Sequence, residues 1–566
     1  MEGKRRIAIG MENYKEIIDK NFYYVDKTLL IRDLLDKGGK VNLFTRPRRF
    51  GKTLALSMIR TFFEKDIDYK GEENDNSHYF EEKKIMEAGE AYVSKMGQYP
   101  VIALSLKSAK QPEFDMAYHV LRDEISKEFS RHRYILCGNG VLDAYDREKY
   151  EAFMNRKAEK ADYAISLQFL SRCLSQYHQE KVIILLDEYD VPLENAYFEG
   201  FYNQMTGFIR SLFESALKTN EHLEFAVITG CLRISRESIF TGLNNMKIVS
   251  ILNPEFGEYF GFTQEEVDVL FTDNGVVEKK DEAKKWYDGY LFGECEVYNP
   301  WSVLNYVEMA VADKNYFPRP YWANTSANSI IRELVEKADS GVKKEIEELI
   351  AGRTIEKSIH EDITYEEIYQ SQNNLWNFLF FTGYLKKVSE RFEVDTVYLV
   401  MKIPNEEVRY IYRNTIREWF EQKIKQADFT QFYQDILSGN TEAMSGFMSA
   451  QLASGISYYD NAESFYHGYL FGVLSRMEGY EIHSNKERGN GRPVLVLLPF
   501  HPKNPAIIME LKRAEKFTMM ESMCDVALKQ IEEKDYATEI LDEGYQQILK
   551  YGICFCKKSC MVKKQE

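Results

Sequence analysis

Short, predominantly apolar runs alternate with stretches of helical spacing in the first half of the chain. The runs lie at Val41–Phe44, Tyr99–Leu106, Val182–Leu186, Leu223–Thr229 and Met246–Leu252. Runs of this kind are typical of parallel strands that are buried on both faces. Between the first two runs, Leu54–Phe63 places its apolar residues at helical spacing. The pattern predicts an α/β architecture in which a parallel sheet has helices on both faces.

The first run is followed by a polar turn that carries a phosphate-loop signature. Gly51-Lys52-Thr53 matches the second half of the pattern G-x-x-x-x-G-K-[ST]. The glycine lets the backbone approach a phosphate, and the amides and dipole of the next helix attract an anion. Lys52 is predicted to reach the β- and γ-phosphates of ATP, and the Thr53 hydroxyl to hold Mg²⁺.

The remaining residues of the turn are also predicted to bind the nucleotide. They are Arg46, Pro47, Arg48, Arg49 and Phe50. Arg46 stands where the pattern has its first glycine, and the three arginines are expected to surround the loop with positive charge. A basic turn before an amphipathic helix is the alternative interpretation of this half-motif taken alone.

Two acidic residues follow the third apolar run and favour the phosphate site. Asp187 and Glu188 come at the carboxyl end of that run, where ligands of open α/β sheets lie. Asp187 is predicted to support Mg²⁺ through a water molecule. Glu188 is predicted to orient or deprotonate the attacking water.

The fourth run ends at Thr229, a polar residue placed to sense the γ-phosphate. Arg233 and Arg236 follow it and are candidates for stabilising charge that develops in the transition state. Two solvated arginines in a loop are an equally good interpretation. Whether either arginine acts in its own subunit or across an interface stays open.

The bulk composition is that of a large globular protein. The chain has 566 residues, 44% hydrophobic and 29% charged, a length that favours about three domains. A net charge of −16 argues against a surface that coats nucleic acid non-specifically, although a local basic groove is compatible with it. No run approaches the roughly 18 apolar residues of a membrane helix, so we expect a soluble, cytoplasmic protein with no membrane contact.

The eight cysteines are scattered, as in proteins of a reducing compartment. Cys554, Cys556 and Cys560 form the pattern C-x-C-x₃-C near the end of the chain. Because a clear fourth ligand is missing, buried strand thiols are the favoured interpretation over a metal site.

A second group of candidate residues lies between positions 459 and 516. Three predicted strands, at 480–483, 494–498 and 506–512, follow a helix that carries Glu463. Glu510 and Lys512 are two residues apart, so they project from the same face of the last strand. A carboxylate and a lysine placed in this way, with Glu463, are predicted to hold Mg²⁺ and activate water for phosphodiester cleavage. An ordinary exposed strand face is the alternative.

Several longer motifs carry a family resemblance. They read FYYVDKT (22–28), RPRRFGKT (46–53), LLDEYD (185–190), TGCLRISRESIFTGLNN (229–245), EYFGFTQEEV (258–267), WYDGY (286–290), ESFYHGYL (463–470), SNKERGNGR (484–492) and MELK (509–512). With these motifs the chain resembles the bacterial family that joins an AAA-ATPase-like domain to a C-terminal nuclease-like domain of the PD-(D/E)XK superfamily. The resemblance implies that an arginine at position 46 is usual.

One departure from the family pattern affects the nuclease-like part. The resemblance implies a metal-binding Asp two residues after Arg492, where this chain has Val494. Losing a carboxylate removes charge that a hard cation requires, so we expect weak or absent cleavage. The domain is then expected to bind DNA or RNA without cutting, through a basic patch. Its members are Lys486, Arg488, Arg492, Lys512, Arg513 and Lys516.

These observations predict three domains. Residues 1–260 form a P-loop AAA-ATPase-like domain, 261–400 a helical middle region, and 401–566 an α/β restriction-endonuclease-like domain. The cofactors are ATP and Mg²⁺, and the predicted function is ATP hydrolysis whose nucleotide state is coupled to the nuclease-like domain. The alternatives are an active ATP-gated nuclease and a non-catalytic binding module switched by ATP. An oligomer is compatible with the sequence.

Overall fold

The computed structural model describes most of the chain as two compact units. The described residues are 5–138, 140–218, 220–233, 239–240, 245–324, 340–361, 365–368, 371–415, 428–455, 463–484, 494–534 and 536–565. The first unit takes in the described parts of Met1–Ser326 and Gly352–Ile411. The second takes in those of Ala327–Ala351 and Tyr412–Glu566. The domain boundaries at 260 and 400 stay predictions.

The first unit is built on a five-stranded parallel sheet. Its strands are β1 (Val41–Thr45), β2 (Val101–Ser105), β3 (Val182–Asp187), β4 (Leu223–Gly230) and β5 (Met246–Val249). Their order across the sheet is β2-β3-β4-β1-β5, and every neighbouring pair is parallel. All residues of β1 and β3 are buried, which requires cover on both faces of the sheet. The parallel sheet predicted from the apolar runs is therefore confirmed.

The register of this sheet gathers four strand ends at one edge. Thr45 at the end of β1 pairs with Gly230 of β4, and Ser105 of β2 pairs with Asp187 of β3. Because all the strands run in the same direction, the residues that follow them lie along the same edge. This is the edge at which ligands of open α/β sheets bind.

Helices make up most of the rest of the first unit. They are Tyr14–Asp19, Leu29–Lys37, Lys52–Phe63, Glu90–Val93, Phe114–Arg131, Ala144–Met154, Lys160–Tyr163, Ser166–His178, Val191–Glu199, Tyr202–Phe213, Gln264–Asp273, Lys280–Tyr287, Pro300–Ala312, Tyr365–Ile368 and Gln372–Phe381. The first unit ends at Ile411, within a helix at 406–415. Thr263 and Glu266 form a capping box at the start of the helix Gln264–Asp273, since the side chain of each bonds the other's backbone.

The middle of the chain contains more strand than the sequence suggested. An antiparallel sheet in the order β6-β8-β7 joins β6 (Ile355–Ile359), β7 (Lys386–Glu393) and β8 (Thr396–Lys402). Most of β7 is exposed, so it lacks the apolar alternation that identifies a half-buried strand. Shorter paired strands are Arg6–Ile7 with Phe22–Tyr23, Asp66–Ile67 with Glu73–Asn74, and Tyr290–Phe292 with Cys295–Val297.

The second unit contains a mixed five-stranded sheet. Its strands, in spatial order, are β9 (Tyr480–Ser484), β10 (Val494–Pro499), β11 (Ala506–Arg513), β12 (Ile548–Cys556) and β13 (Ser559–Lys564). β11 and β12 are parallel, and the other neighbours are antiparallel. The helices of this unit are Ser340–Ile350, Thr430–Ser438, Thr441–Gly455, Glu463–Leu474, Met520–Glu533 and Tyr536–Asp542.

Two helices cover opposite faces of the second sheet. Tyr466, on Glu463–Leu474, stacks on Phe555 of β12 with ring centroids 4.3 Å apart. The neighbouring residue Cys554 points the other way and packs with Cys524 of the helix Met520–Glu533. Cys554, Cys556 and Cys560 are free, buried residues of β12 and β13, as predicted for strand thiols. Within the described residues, no helix is both long and apolar enough to span a bilayer.

Candidate nucleotide site and nuclease-like site

The phosphate-loop residues open a helix at the edge of the parallel sheet. Gly51 has a φ of 80° and immediately precedes the helix Lys52–Phe63. This left-handed conformation favours glycine. No side chain caps the helix, so its first backbone amides are available to an anion at the positive end of the helix dipole.

Lys52 is held inside the loop that it follows. Its Nζ donates to the carbonyl oxygens of Arg46 and Pro47, each at 2.9 Å, and the side chain is 5% exposed. The Sγ of Cys231 lies 3.8 Å from the same nitrogen. The ammonium group is thus enclosed by loop carbonyls, and no carboxylate within the described residues forms an ion pair with it.

Asp187 connects two threonines at the centre of the site. Its Oδ2 accepts a hydrogen bond from the Thr53 hydroxyl at 2.7 Å, and its Oδ1 accepts one from Thr229 at 2.5 Å. Thr53 comes from the first turn of the loop helix, Asp187 from the end of β3 and Thr229 from β4. The sheet therefore brings together residues that are 134 and 42 positions apart in sequence.

Glu188 follows directly and is half-buried beside this cluster. Its backbone is left-handed, with a φ of 51°, which is unusual for a residue other than glycine. Burial raises the pKa of its carboxyl, an effect that the nearby Lys52 charge opposes and Asp187 reinforces. The strained backbone at Glu188 turns the chain away from the direction of β3 directly after Asp187.

Arg46 differs from the expectation that it would add positive charge to the loop surface. Its side chain is fully buried, with Nη1 donating to the carbonyls of Thr45 and Val249 at 2.9 and 2.8 Å. The guanidinium lies over the rings of Phe260 and Phe292, at 5.2 and 5.1 Å. Burial lowers the pKa of Arg46 to about 9, so the side chain is still a cation at pH 7. A sequence motif cannot reveal that this side chain turns inward, because its neighbours come from distant segments.

The other loop residues take different environments. Pro47 and Phe50 are buried, and Phe50 packs on the rings of Tyr290 and Phe292. Arg48 is half-buried and forms an ion pair with Glu194. Arg49 is exposed, with a φ of 71°, and lies 4.4 Å above the ring of Trp301. Arg48 and Arg49 are therefore the loop arginines that remain at the surface.

The structure describes one of the two candidate arginines after β4. Arg233 lies 3.6 Å from Glu361, measured between Nη1 and Oε2. Arg236 lies outside the described residues. The alternative interpretations of this pair stay open.

Three residues near the cluster were not predicted from the sequence. Asp190 is 3% exposed, and its Oδ2 accepts from the backbone amides of Cys231 and Leu232. Burial raises the pKa of Asp190 and raises that of the Cys231 thiol to about 11. Glu194 holds Arg48. The third acid of the motif LLDEYD was the available signal for Asp190, and the motif that begins at Thr229 was the signal for Cys231, whereas nothing local to Glu194 points to the site.

The Thr53–Asp187 pair fits a magnesium ion. A hydroxyl and a carboxylate oxygen are ligands that Mg²⁺ takes together with water and phosphate oxygens. Among the residues that the structure describes, no group of three or more His, Cys, Asp or Glu side chains is arranged to hold a metal ion. A site of this kind therefore depends on substrate oxygens and water for its remaining ligands.

Glu510 and Lys512 form a buried ion pair in the second unit. Lys512 Nζ lies 2.6 Å from Glu510 Oε1, and the two side chains are 1% and 0% exposed. Val494 of β10 pairs directly with Glu510 of β11, so the backbone position opposite the carboxylate belongs to a valine. Among the described residues Glu510 is the one carboxylate at this place, and its pairing with an ammonium group disfavours a magnesium ion there.

Glu463 is the first residue of the helix Glu463–Leu474, and its side chain lies outside the described parts. That helix packs on the Phe555 face of the sheet. Glu510 and Lys512 align with Gly552 and Cys554 of β12 and so extend from the opposite face. No described contact joins Glu463 to Glu510, and their shared metal site stays a prediction.

The predicted basic patch is reduced by this arrangement. Lys512 is buried and does not contribute to a surface. Arg513 and Lys516 are exposed, whereas Lys486, Arg488 and Arg492 lie outside the described residues.

Comparisons with known proteins agree with both parts of the chain. Residues 8–240 match the family described as Predicted AAA-ATPase, and residues 461–565 match the PD-(D/E)XK nuclease superfamily. A relative from Azotobacter chroococcum mcd 1, described as an uncharacterized protein in the vnfD 5' region, is 26% identical over 343 residues. The match covers 59% of this chain and 56% of that protein, so it spans little more than half of the relative's length.

Proposed function

We propose that this chain, which carries a predicted AAA-ATPase domain followed by a PD-(D/E)XK nuclease superfamily domain, is a Mg²⁺-dependent ATPase. The observation that carries the proposal is the Thr53–Asp187–Thr229 cluster beside the uncapped start of the loop helix. The cluster combines a phosphate-binding helix end with oxygen ligands for a cation. Few structural roles require both at one edge of a parallel sheet.

The residues act on ATP as follows. The amides after Gly51 bind the phosphate oxygens, and Lys52 exchanges its two loop carbonyls for the β- and γ-phosphates. Thr53 and Asp187 hold Mg²⁺, which neutralises phosphate charge when it is bound. Glu188 orients the attacking water, and its half-buried carboxylate accepts a proton from it. Thr229 fixes the Asp187 carboxylate from the neighbouring strand.

Thr53→Val tests the magnesium role directly. Valine keeps the shape of threonine but lacks the hydroxyl, so the Mg²⁺-dependent part of ATP affinity should fall by about tenfold or more. Affinity is measured with a fluorescent ATP analogue in Mg²⁺ and in EDTA. The matched control is Thr61→Val, since Thr61 lies on the same helix and its hydroxyl donates to the carbonyl of Ser57 at 2.8 Å. Equal Mg²⁺ dependence in native protein and Thr53→Val would remove Thr53 from the metal site.

For the second unit we propose a nucleic-acid-binding domain without cleavage activity, governed by the nucleotide state of the first. Val494 opposite Glu510, and the pairing of Glu510 with Lys512, support this choice over an active nuclease. Glu510 is the one carboxylate that the described residues supply here, and it is already paired with the Lys512 ammonium group, whose positive charge opposes a bound cation. DNA and RNA are both candidate ligands.

The cleavage prediction concerns Val494→Asp. Native protein should not cut single- or double-stranded DNA or RNA with Mg²⁺ or Mn²⁺, with or without ATP. Val494→Asp should gain metal-dependent cleavage, because it adds a carboxylate at the position that pairs with Glu510 in the strand register. Val494→Asn, which has the same size without the charge, is the control and should stay inactive.

Native activity would support the alternative instead. Cleavage by native protein that disappears in Lys512→Ala, with an unchanged thermal midpoint, would identify an ATP-gated nuclease that works without the missing Asp. No cleavage by native protein or Val494→Asp, together with retained nucleic-acid binding, would leave a binding module switched by ATP.

A further inference from the structure

A cross-strand contact beside the nucleotide site was not anticipated from the motifs. Tyr189 and Asp190 follow β3, and both bond the backbone that follows β4. Asp190 Oδ2 accepts from the amides of Cys231 and Leu232 at 2.7 and 3.2 Å, and the Tyr189 hydroxyl donates to the carbonyl of Leu232 at 2.6 Å. We call these three hydrogen bonds the Tyr189–Asp190 clamp.

Asp190 forms the clamp in place of a common local contact. It is the N-cap residue of the helix Val191–Glu199, a position where aspartate usually accepts from the first amides of its own helix. Here its side chain makes no cap hydrogen bond and accepts from the neighbouring strand instead. The helix thus begins without a hydrogen bond from the side chain of its N-cap residue. The carboxylate of Asp190 is used for the contact with the segment after β4 instead.

Gly230 makes the close approach of the two segments possible. A Cβ at this position would lie 2.5 Å from the Tyr189 ring and 2.9 Å from Asp190 Oδ1. Tyr189 also donates its backbone amide to the carbonyl of Thr229 at 3.1 Å. Thr229, Cys231 and Leu232 are therefore each hydrogen-bonded to the segment 187–190, and Gly230 lies close to the Tyr189 ring.

The clamped segment reaches each reacting part of the proposed site. Thr229, at its start, bonds Asp187, and the Cys231 sulfur lies 3.8 Å from the Lys52 ammonium. Gly230 accepts through its carbonyl from the amide of Arg46 at 3.0 Å, which ties the segment to the beginning of the phosphate loop. Arg233 follows Leu232 directly.

We infer that Tyr189 and Asp190 are positioning residues for ATP hydrolysis, acting by fixing the segment 229–233 against the phosphate loop. The inference rests on the proposed ATPase function. The clamp sets where Thr229 holds Asp187 and where the chain passes from Leu232 to Arg233. Phosphoryl transfer depends on such alignment, since a misplacement of about 1 Å costs about a hundredfold in rate.

Asp190→Ala is the principal test, assayed as steady-state ATP hydrolysis by the full chain. We expect kcat to fall about 10- to 100-fold while KM for ATP stays within about twofold, because the phosphate-binding amides and Lys52 are untouched. Asp190→Asn keeps an oxygen that accepts from the two amides and should recover most of the rate. Tyr189→Phe keeps the ring and removes the bond to Leu232, so a smaller loss of kcat is expected.

Asp146→Ala is the matched control for the loss of a buried carboxylate. Asp146 is 6% exposed and pairs with Arg172 at 2.7 Å, in contacts that do not include the nucleotide cluster. Thermal midpoints of all variants separate folding from rate. If Asp190→Ala does not fold, the kcat values of Tyr189→Phe and Asp190→Asn are compared with that of native protein instead.

The outcomes separate the inference from the function on which it rests. Native protein that hydrolyses ATP, with kcat unchanged in Asp190→Ala and Tyr189→Phe, would overturn the clamp while leaving the ATPase in place. An equal fall of kcat in Asp146→Ala would reduce the role of Asp190 to general stability and would also overturn the inference. Native protein without any ATP turnover would overturn the proposed function and the inference together.

Discussion

Lys52→Ala is expected to lower ATP turnover by about a thousandfold and to weaken ATP binding. Lys52 is the ammonium group at the start of the loop helix, and its present partners are two neutral carbonyl oxygens. Exchange of those oxygens for phosphate oxygens gives charge-assisted hydrogen bonds, which are the stronger kind. Removing one preorganised donor of this type typically costs 100- to 1,000-fold in rate, and Lys52 is predicted to serve two phosphates.

The measurement is phosphate release at saturating ATP, together with the affinity for a fluorescent ATP analogue. Lys127→Ala is the control, because Lys127 is an exposed lysine on the helix Phe114–Arg131 and forms an ion pair with Glu124 of the same helix. Lys52 is buried, so the thermal midpoint of the variant must be recorded beside its activity. Full ATP hydrolysis by a folded Lys52→Ala protein would move the active site away from this loop.

Glu188→Gln should give the second large effect, with a different signature. Glutamine has the size of glutamate but cannot take a proton from water, so turnover should fall about 100-fold or more. ATP binding should stay within about threefold of native, since the role proposed for Glu188 is on the attacking water, and Lys52 and Thr53 are unchanged in this variant. The neighbouring Asp187 keeps both of its threonine partners in this variant.

Single-turnover measurements distinguish this result from the loss in Lys52→Ala. Glu188→Gln should bind ATP with Mg²⁺ and retain it without hydrolysis, whereas Lys52→Ala should bind ATP more weakly than native protein. Glu221→Gln is the control, because Glu221 is exposed and precedes β4, at the opposite edge of the same sheet. Unchanged turnover in Glu188→Gln would assign the water to another group, and Arg233 with its partner Glu361 would be examined next.

The two sites of this chain illustrate how far a local motif determines chemistry. In the first unit, the half-motif Gly51-Lys52-Thr53 and the acids at the end of β3 could be recognised from the sequence. Each is a short run in which the residue types also suit the backbone conformation of the segment. In the second unit, the spacing of Glu510 and Lys512 could be recognised equally well. The pattern did not reveal that the two side chains bond each other and are withdrawn from solvent.

The sequence by itself determined the strands of the parallel sheet and the α/β class of the first unit. Continuous apolar runs predicted the parallel strands because a strand covered on both faces must be apolar on both. The phosphate loop was predicted because a tight turn, a glycine and a helix start are all properties of neighbouring residues. The family resemblance implied an Asp at the position of Val494, and the strand register pairs that position with Glu510.

Only the tertiary structure decided which residues meet. It placed β4 between β1 and β3, and so brought Thr229 to Asp187 and the amides of Cys231 and Leu232 to Asp190. It also turned Arg46 into the core between two aromatic rings. The reason is the same in each case: strand order and side-chain direction are set by contacts between segments far apart in the chain, whereas a motif records only the conformational and chemical preferences of adjacent residues.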